Sequence, residues 1–271
     1  MSIISISPDV PAAPRSEPVP AVAPAKTSLD PSSPWDLSRA PVHVAELTPA
    51  SRIAPFTQPR GPGSDRFRYL RMRLRELRSK TKLTSILITS PLPRDGKSTV
   101  ALNLATSLAD GGQSKVLLIE GDLHRPTLAK SLGLPARSGF AECIESGLDP
   151  LLAIVRIEPL RLYLLPAGDP KGNAPELLQS QTIGAILSRL AETFDWIVID
   201  SPPLAPLSDA VSLSRQVDAT LLVVHADRTP REAVDEALSM IGPNRIAGII
   251  LNGAQGLNRL YSKYGEYYGK K

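Results

Sequence analysis

Gly96, Lys97 and Ser98 stand together in "ITSPLPRDGKSTVALNLA", between an apolar run and a helix-like stretch. A glycine lets the backbone approach an anion closely, and the amides left open at a helix start cradle phosphate oxygens. The lysine ammonium reaches the outer phosphates, and the serine hydroxyl ligates Mg²⁺. The spacing follows the phosphate-loop pattern G-x-x-x-x-G-K-S/T, with Pro91 at the first glycine position. Arg94, Asp95, Gly96, Lys97, Ser98 and Thr99 are therefore the expected nucleotide-binding loop.

Such a loop needs an acidic residue from a neighbouring strand to hold the metal and its water shell. "WIVIDSPP" supplies Asp200 at the end of an apolar run, and ligands bind at strand ends in open α/β sheets. "VLLIEGDLHRP" supplies a second acidic end, with Glu120 and Asp122 two apart and so on one side of an extended chain. Both are expected to approach the terminal phosphate. A carboxylate there can hold Mg²⁺ or take the proton of an attacking hydroxyl. Ser98, Asp200 and Asp122 are the candidate metal ligands; Asp122, Glu120 and Lys97 are the candidate catalytic groups.

These residues require a scaffold that gathers strand ends. "TSILITS", "KVLLIEGD", "RLYLLPAG", "WIVIDSPP", "ATLLVVHA" and "IAGIILNG" are short continuous apolar runs, the pattern of strands buried on both faces of a parallel sheet. Helical stretches at 98–110, 175–193, 206–216 and 230–241 lie between most of them. The fold class is α/β, a doubly wound and mostly parallel sheet of the P-loop type.

Three regions follow from composition. Residues 1–63 hold 13 of the 27 prolines, each of which removes a donor, so an arm without regular elements is expected, either a linker or a docking segment. Residues 64–256 form the domain. It opens with "SDRFRYLRMRLRELRSK", where Phe67, Leu70, Leu74 and Leu77 make an apolar stripe beside Arg68, Arg71, Arg75 and Arg78. Ser64 is the expected N-cap, with Asp65 in the first turn. Residues 257–271 form a tail, "YSKYGEYYGKK" at its end, carrying four of the six tyrosines with glycines that weaken any helix.

The chain is 271 residues long with a net charge of +4, too mild a balance to demand a nucleic-acid partner, and none is expected. One cysteine, Cys143, excludes an intramolecular disulfide; a half-buried helix position is expected for it. The N-terminus lacks a basic segment followed by an apolar run, and no apolar stretch approaches the roughly 18 residues of a membrane span. A cytoplasmic protein is expected. His43, His124 and His225 show no ligand spacing, so no zinc site is expected. Arg228 and Arg231 either approach the nucleotide or flank a helix start, the second being favoured.

In this order the motifs resemble those of the bacterial tyrosine kinases of capsule and exopolysaccharide synthesis, over roughly three quarters of the chain. The family loop typically reads "PGEGKS", and here it is "PRDGKS". The family's D-x-D-x-R becomes Glu120-x-Asp122-x-His124, with Arg125 one place later. Asp200 in "VIDSPP" matches the family's metal-site aspartate, and "AGDPKGNAPELL" and "VDATLLVV" are similar to family sequence. The resemblance implies ATP and Mg²⁺ as cofactors and transfer of the γ-phosphoryl group to tyrosine. Tyr261, Tyr264, Tyr267 and Tyr268 would then be the acceptors. Asp65, Arg68 and Arg71 match a helix motif that joins subunits into a ring; a helix of this kind can also pack within its own domain or touch anionic lipid. Asn252 would contact the adenine, as in related ATPases, or else serve a strand-end turn. A membrane-embedded polysaccharide co-polymerase on a separate chain is implied as activator, which places the protein peripherally at the inner membrane. Two other readings remain: a partitioning-type ATPase, whose loop carries a lysine where Leu92 stands, and a catalytically weak nucleotide-binding regulator of polysaccharide assembly.

Overall fold

Nine strands are hydrogen-bonded into one sheet: β1 (Ser2–Ile6), β2 (Val42–Val44), β3 (Ser85–Thr89), β4 (Val116–Glu120), β5 (Val155–Glu158), β6 (Leu162–Leu165), β7 (Trp196–Asp200), β8 (Ala219–His225) and β9 (Ile246–Asn252). The structure is a computed structural model, and it describes residues 2–6, 37–205 and 209–254. The sheet order is β1-β9-β8-β3-β7-β4-β6-β5-β2. The six apolar runs are the six consecutive parallel strands from β9 to β6. Antiparallel β1 closes one edge, and β5, antiparallel to β6, leads to β2 at the other.

Every residue of β3, β4 and β7 is buried, as a strand covered on both faces requires. Ile86 and Ile88 pack on one face with Leu104 and Leu108 of the helix Lys97–Ala109 and with Leu70 and Leu74 of the basic helix. Leu87, Leu117 and Ile119 pack on the other with Phe140, Ile183 and Leu187. Layers on both faces make this the doubly wound α/β fold that the sequence implies.

Of the arm expected over 1–63, the described residues, 2–6 and 37–63, hold regular elements, and residues 7–36 lie outside the described residues. β1 and β2 lie within it, as do the short helix Ala54–Thr57 and the buried residues Leu37, Ala40, Ala45 and Ile53. Four of the described prolines are placed where a missing N–H costs little. Pro41 precedes β2, and Pro49, Pro55 and Pro62 stand in the first turns of helical segments. The basic helix begins at Pro62 and runs to Lys80, so Ser64 is inside it and is not the N-cap. Its hydroxyl donates instead to the Ala54 carbonyl at 2.8 Å, fastening the preceding segment to the domain. The stretch 175–193 is two helices, Ala174–Leu178 and Thr182–Leu190, and 206–216 is represented by Asp209–Ser214. The tail tyrosines lie outside the described residues.

Candidate active site at the phosphate loop

The phosphate loop joins β3 to the helix Lys97–Ala109, in the centre of the sheet. Its backbone is left-handed at Arg94 (φ 67°) and Gly96 (φ 98°). The positive φ at Gly96 favours glycine, and an added Cβ would also displace the Asn252 side-chain amide. Arg94 holds a conformation that costs a non-glycine residue about 1 kcal/mol.

The loop is clamped from inside and from the side. Asp95 is 1 % exposed. One of its oxygens accepts the Leu92 amide at 3.1 Å, and the other accepts the Thr229 hydroxyl at 2.8 Å. Asn252 donates to the Asp95 carbonyl at 2.9 Å. Arg228 stands within 3.5 Å of the Pro93 and Arg94 carbonyls, so the favoured reading of it as a mere helix flank is incomplete; Arg231 pairs only with Asp235 among the described residues. Sequence spacing gave no sign of Thr229, because 134 residues separate it from Asp95 and a threonine before proline and a helix reads as a terminus.

Register brings the acidic ends to the loop. Ile88 pairs with Asp200 across β3 and β7, and Asp200 pairs with Glu120 across β7 and β4. Lys97 Nζ is 2.7 Å from Asp122 Oδ2, a pair with side chains 13 % and 5 % exposed. The other Asp122 oxygen accepts the Arg125 amide at 3.0 Å. Asp200 is 1 % exposed, and its Oδ1 has no hydrogen-bond partner among the described residues. Burial pushes its carboxyl up to about 7; Lys97 and a hydrogen bond from Ser98 pull it down, and Asp122 and Glu120 add to the rise. A buried carboxyl with one orphaned oxygen, a serine hydroxyl bonded to the same carboxyl and a second carboxylate nearby make the donor set that a hard divalent cation such as Mg²⁺ uses. Thr99 lies exposed in the first turn of the helix.

A family model described as cellulose biosynthesis protein BcsQ matches residues 94–238, more than half of the chain. The chain is 29% identical over 221 residues to tyrosine-protein kinase YwqD of Bacillus subtilis, covering 81% of this chain and 92% of that one. It is 30% identical over 225 residues to the putative tyrosine-protein kinase CapB of Staphylococcus aureus, covering 81% and 97%. The chain belongs to the bacterial tyrosine kinase family of BcsQ-like P-loop proteins. Among solved structures, that of the chimerical protein CapA2B2 superposes with a TM-score of 0.70 at 26% identity, over 80% of this chain and 95% of that one.

Within the family frame, Glu120 departs from expectation. Its carboxylate accepts the amides of Leu128 at 2.5 Å, Ala129 at 3.4 Å and Ala167 at 3.2 Å, and is 1 % exposed. The longer side chain carries the carboxylate past the strand end into the neighbouring loops, where amide donors consume its lone pairs. His124, where the family motif has arginine, binds the buried Asp209 at 2.7 Å, and Gln179 approaches the same carboxylate. Asp209 is 85 residues from His124, and nothing in the spacing announces the pair. Asp65, Arg68 and Arg71 all have partners within the chain. Asp65 pairs with Arg68, Arg68 donates to the Pro59 carbonyl, and Arg71 bonds Asp110 and the Ser107 carbonyl. Cys143 is fully buried rather than half-buried; burial above all, with Glu142 and Asp149 adding, pushes its thiol up to about 12. Among the described residues no helix is long and apolar enough to cross a membrane.

Proposed function

We propose that the protein is an ATP-dependent tyrosine autokinase that regulates capsule or exopolysaccharide synthesis and export. The observation that carries the reading is the convergence at the mouth of the phosphate loop of Lys97, Asp122 and the Asp200 oxygen that has no partner among the described residues. Lys97 is paired with Asp122 in the structure. ATP phosphates entering the loop draw Lys97 to themselves, which releases the Asp122 carboxylate to face an acceptor. The tyrosine oxygen then forms its bond to the γ-phosphorus as the bond to the β,γ-bridging oxygen breaks. The phenolic proton passes to Asp122, and ADP leaves. Ser98 and Asp200 would hold Mg²⁺, which supplies charge neutralisation across the phosphates. With two protein donors, the remaining ligands of such an ion would come from the phosphates and water. Glu120 anchors the loops behind the site and touches no reacting atom. Asn252, which donates to the Asp95 carbonyl, would contact the base.

The acceptors are Tyr261, Tyr264, Tyr267 and Tyr268, presented to a neighbouring subunit in a ring whose contacts use Asp65, Arg68 and Arg71. Each phosphate adds a charge of roughly −1.5 to −2, so a phosphorylated tail favours monomers and an unmodified tail the ring. The activator is the cytoplasmic tail of a membrane-embedded co-polymerase on a separate chain, which sets the kinase at the inner face of the membrane. Phosphotyrosine on the purified chain, with and without Mg-ATP and with the activator tail present, tests the reading. No signal in any arm would leave a non-catalytic nucleotide-binding regulator. The ring is tested by light scattering: a wild type that is monomeric under all conditions, unphosphorylated included, contradicts it.

A further inference from the structure

Behind Glu120, two strands along from the phosphate loop, a cavity of about 690 Å³ opens between the segments that follow β4 and β6. That is the size of a small-molecule site and many times a bare anion. Pro126, Leu134, Pro166 and Ala167 give it apolar walls, and Lys130 and Arg137 also line it. The frame is fixed. Phe140 and Ala141 donate their amides to the Pro166 and Ala167 carbonyls, each at 2.8 Å, and a Cβ at Gly139 would strike the Pro166 carbonyl.

The charges in the cavity are unevenly satisfied. Glu120 is saturated by backbone amides. Glu142 accepts the Gly139 amide at 2.7 Å and the Asp169 amide at 3.1 Å. Asp169 accepts the Lys171 amide. None of these carboxylates pairs with Arg137, whose Nε is buried without a hydrogen-bond partner among the described residues. Lys130 is exposed at the cavity and forms no ion pair among the described residues. The unmatched groups are thus two cations beside apolar walls. A buried guanidinium donor is costly to leave unpaired, and its planar fork suits a phosphate.

We propose that this cavity binds an aryl phosphate, the phosphotyrosine side chain of the chain's own tyrosine-rich tail. The apolar walls take the ring, and Arg137 with Lys130 takes the phosphate. A product tail held there is kept away from Asp122 and from the subunit contacts. The inference rests on the kinase reading for the source of the phosphate, but the site itself does not.

Calorimetric titration of the dephosphorylated full-length chain tests it, using a synthetic peptide of residues 259–271 phosphorylated at Tyr267 and its unphosphorylated twin. The phosphopeptide should bind at least tenfold more tightly. Arg137→Met should remove that preference, and Lys130→Ala should weaken it severalfold; the second variant carries the test if the first fails to fold. Lys97→Met and saturating Mg-ATP should leave phosphopeptide affinity unchanged. Phenyl phosphate should displace the peptide at lower concentration than inorganic phosphate. Equal binding of the two peptides, indifference to both cavity substitutions, displacement by Mg-ATP, or equal competition by the two phosphates would each overturn the assignment. Because the peptide is synthetic, the two readings separate. Phosphopeptide binding by a chain that never phosphorylates itself would remove the kinase and keep the cavity, and autophosphorylation without peptide preference would do the reverse.

Discussion

Glu120 and Asp200 end adjacent strands, pair in register and are each 1 % exposed. Their chemistry is opposite. Glu120 is surrounded by backbone amides that consume its lone pairs. Asp200 keeps an oxygen without a partner among the described residues, and its burial raises the carboxyl to about 7. A buried carboxylate that is fully hydrogen-bonded stabilises the fold, whereas one left unsatisfied is maintained at a cost and marks a place prepared for something else. Neighbouring positions of one sheet end thus divide the work between scaffold and site.

Four substitutions can break or sharpen that contrast. The largest effect is expected from Lys97→Met. It removes the ammonium that meets the phosphates, and affinity for a fluorescent ATP analogue should fall roughly a hundredfold with the circular dichroism spectrum unchanged. Unchanged affinity would remove the phosphate-loop assignment. Asp200→Asn should abolish Mg²⁺ dependence of nucleotide binding and yet stabilise the apo protein. The folded carboxyl lies above its ordinary 3.8, so its contribution to stability is complete below about pH 4 and is lost as pH rises through about 7. The full shift corresponds to an upper bound of about 4 kcal/mol. The variant should therefore melt several degrees above wild type at pH 8 and close to it at pH 4, in scans without nucleotide or metal. A variant that is less stable at pH 8 contradicts the orphaned oxygen.

Glu120→Gln should act in the opposite direction. It sets an amide donor against backbone N–H groups, costing about 2 kcal/mol, and should lower the melting temperature by about 5 °C while ATP affinity stays within twofold. Loss of ATP binding with normal stability would return Glu120 to the reacting centre. The smallest effect is expected from Thr229→Val, which frees one Asp95 oxygen and should weaken ATP by a few fold through a looser loop. Wild-type affinity in this variant would show that the clasp is dispensable.

The difference between the two carboxylates was only half legible in the sequence. Asp200 could be found because a continuous apolar run ending in aspartate, with a phosphate loop present, has one common use. The six parallel strands were legible for the same reason, each being apolar on both faces. Glu120 could not be separated from Asp122 by spacing, since its partners come from residues 128, 129 and 167. Packing of residues 37–63 was hidden because proline content reports missing donors and not where they fall. The Thr229–Asp95 and His124–Asp209 contacts join distant segments and leave no local pattern.

The most direct measurement is to incubate the concentrated full-length chain with radiolabelled Mg-ATP and map the modified residues by mass spectrometry. Label should appear on Tyr261, Tyr264, Tyr267 and Tyr268 and be absent in Lys97→Met and Asp122→Asn. An unlabelled chain, whether or not ATP is hydrolysed, or label found mainly on Tyr69 or Tyr163, would contradict the account.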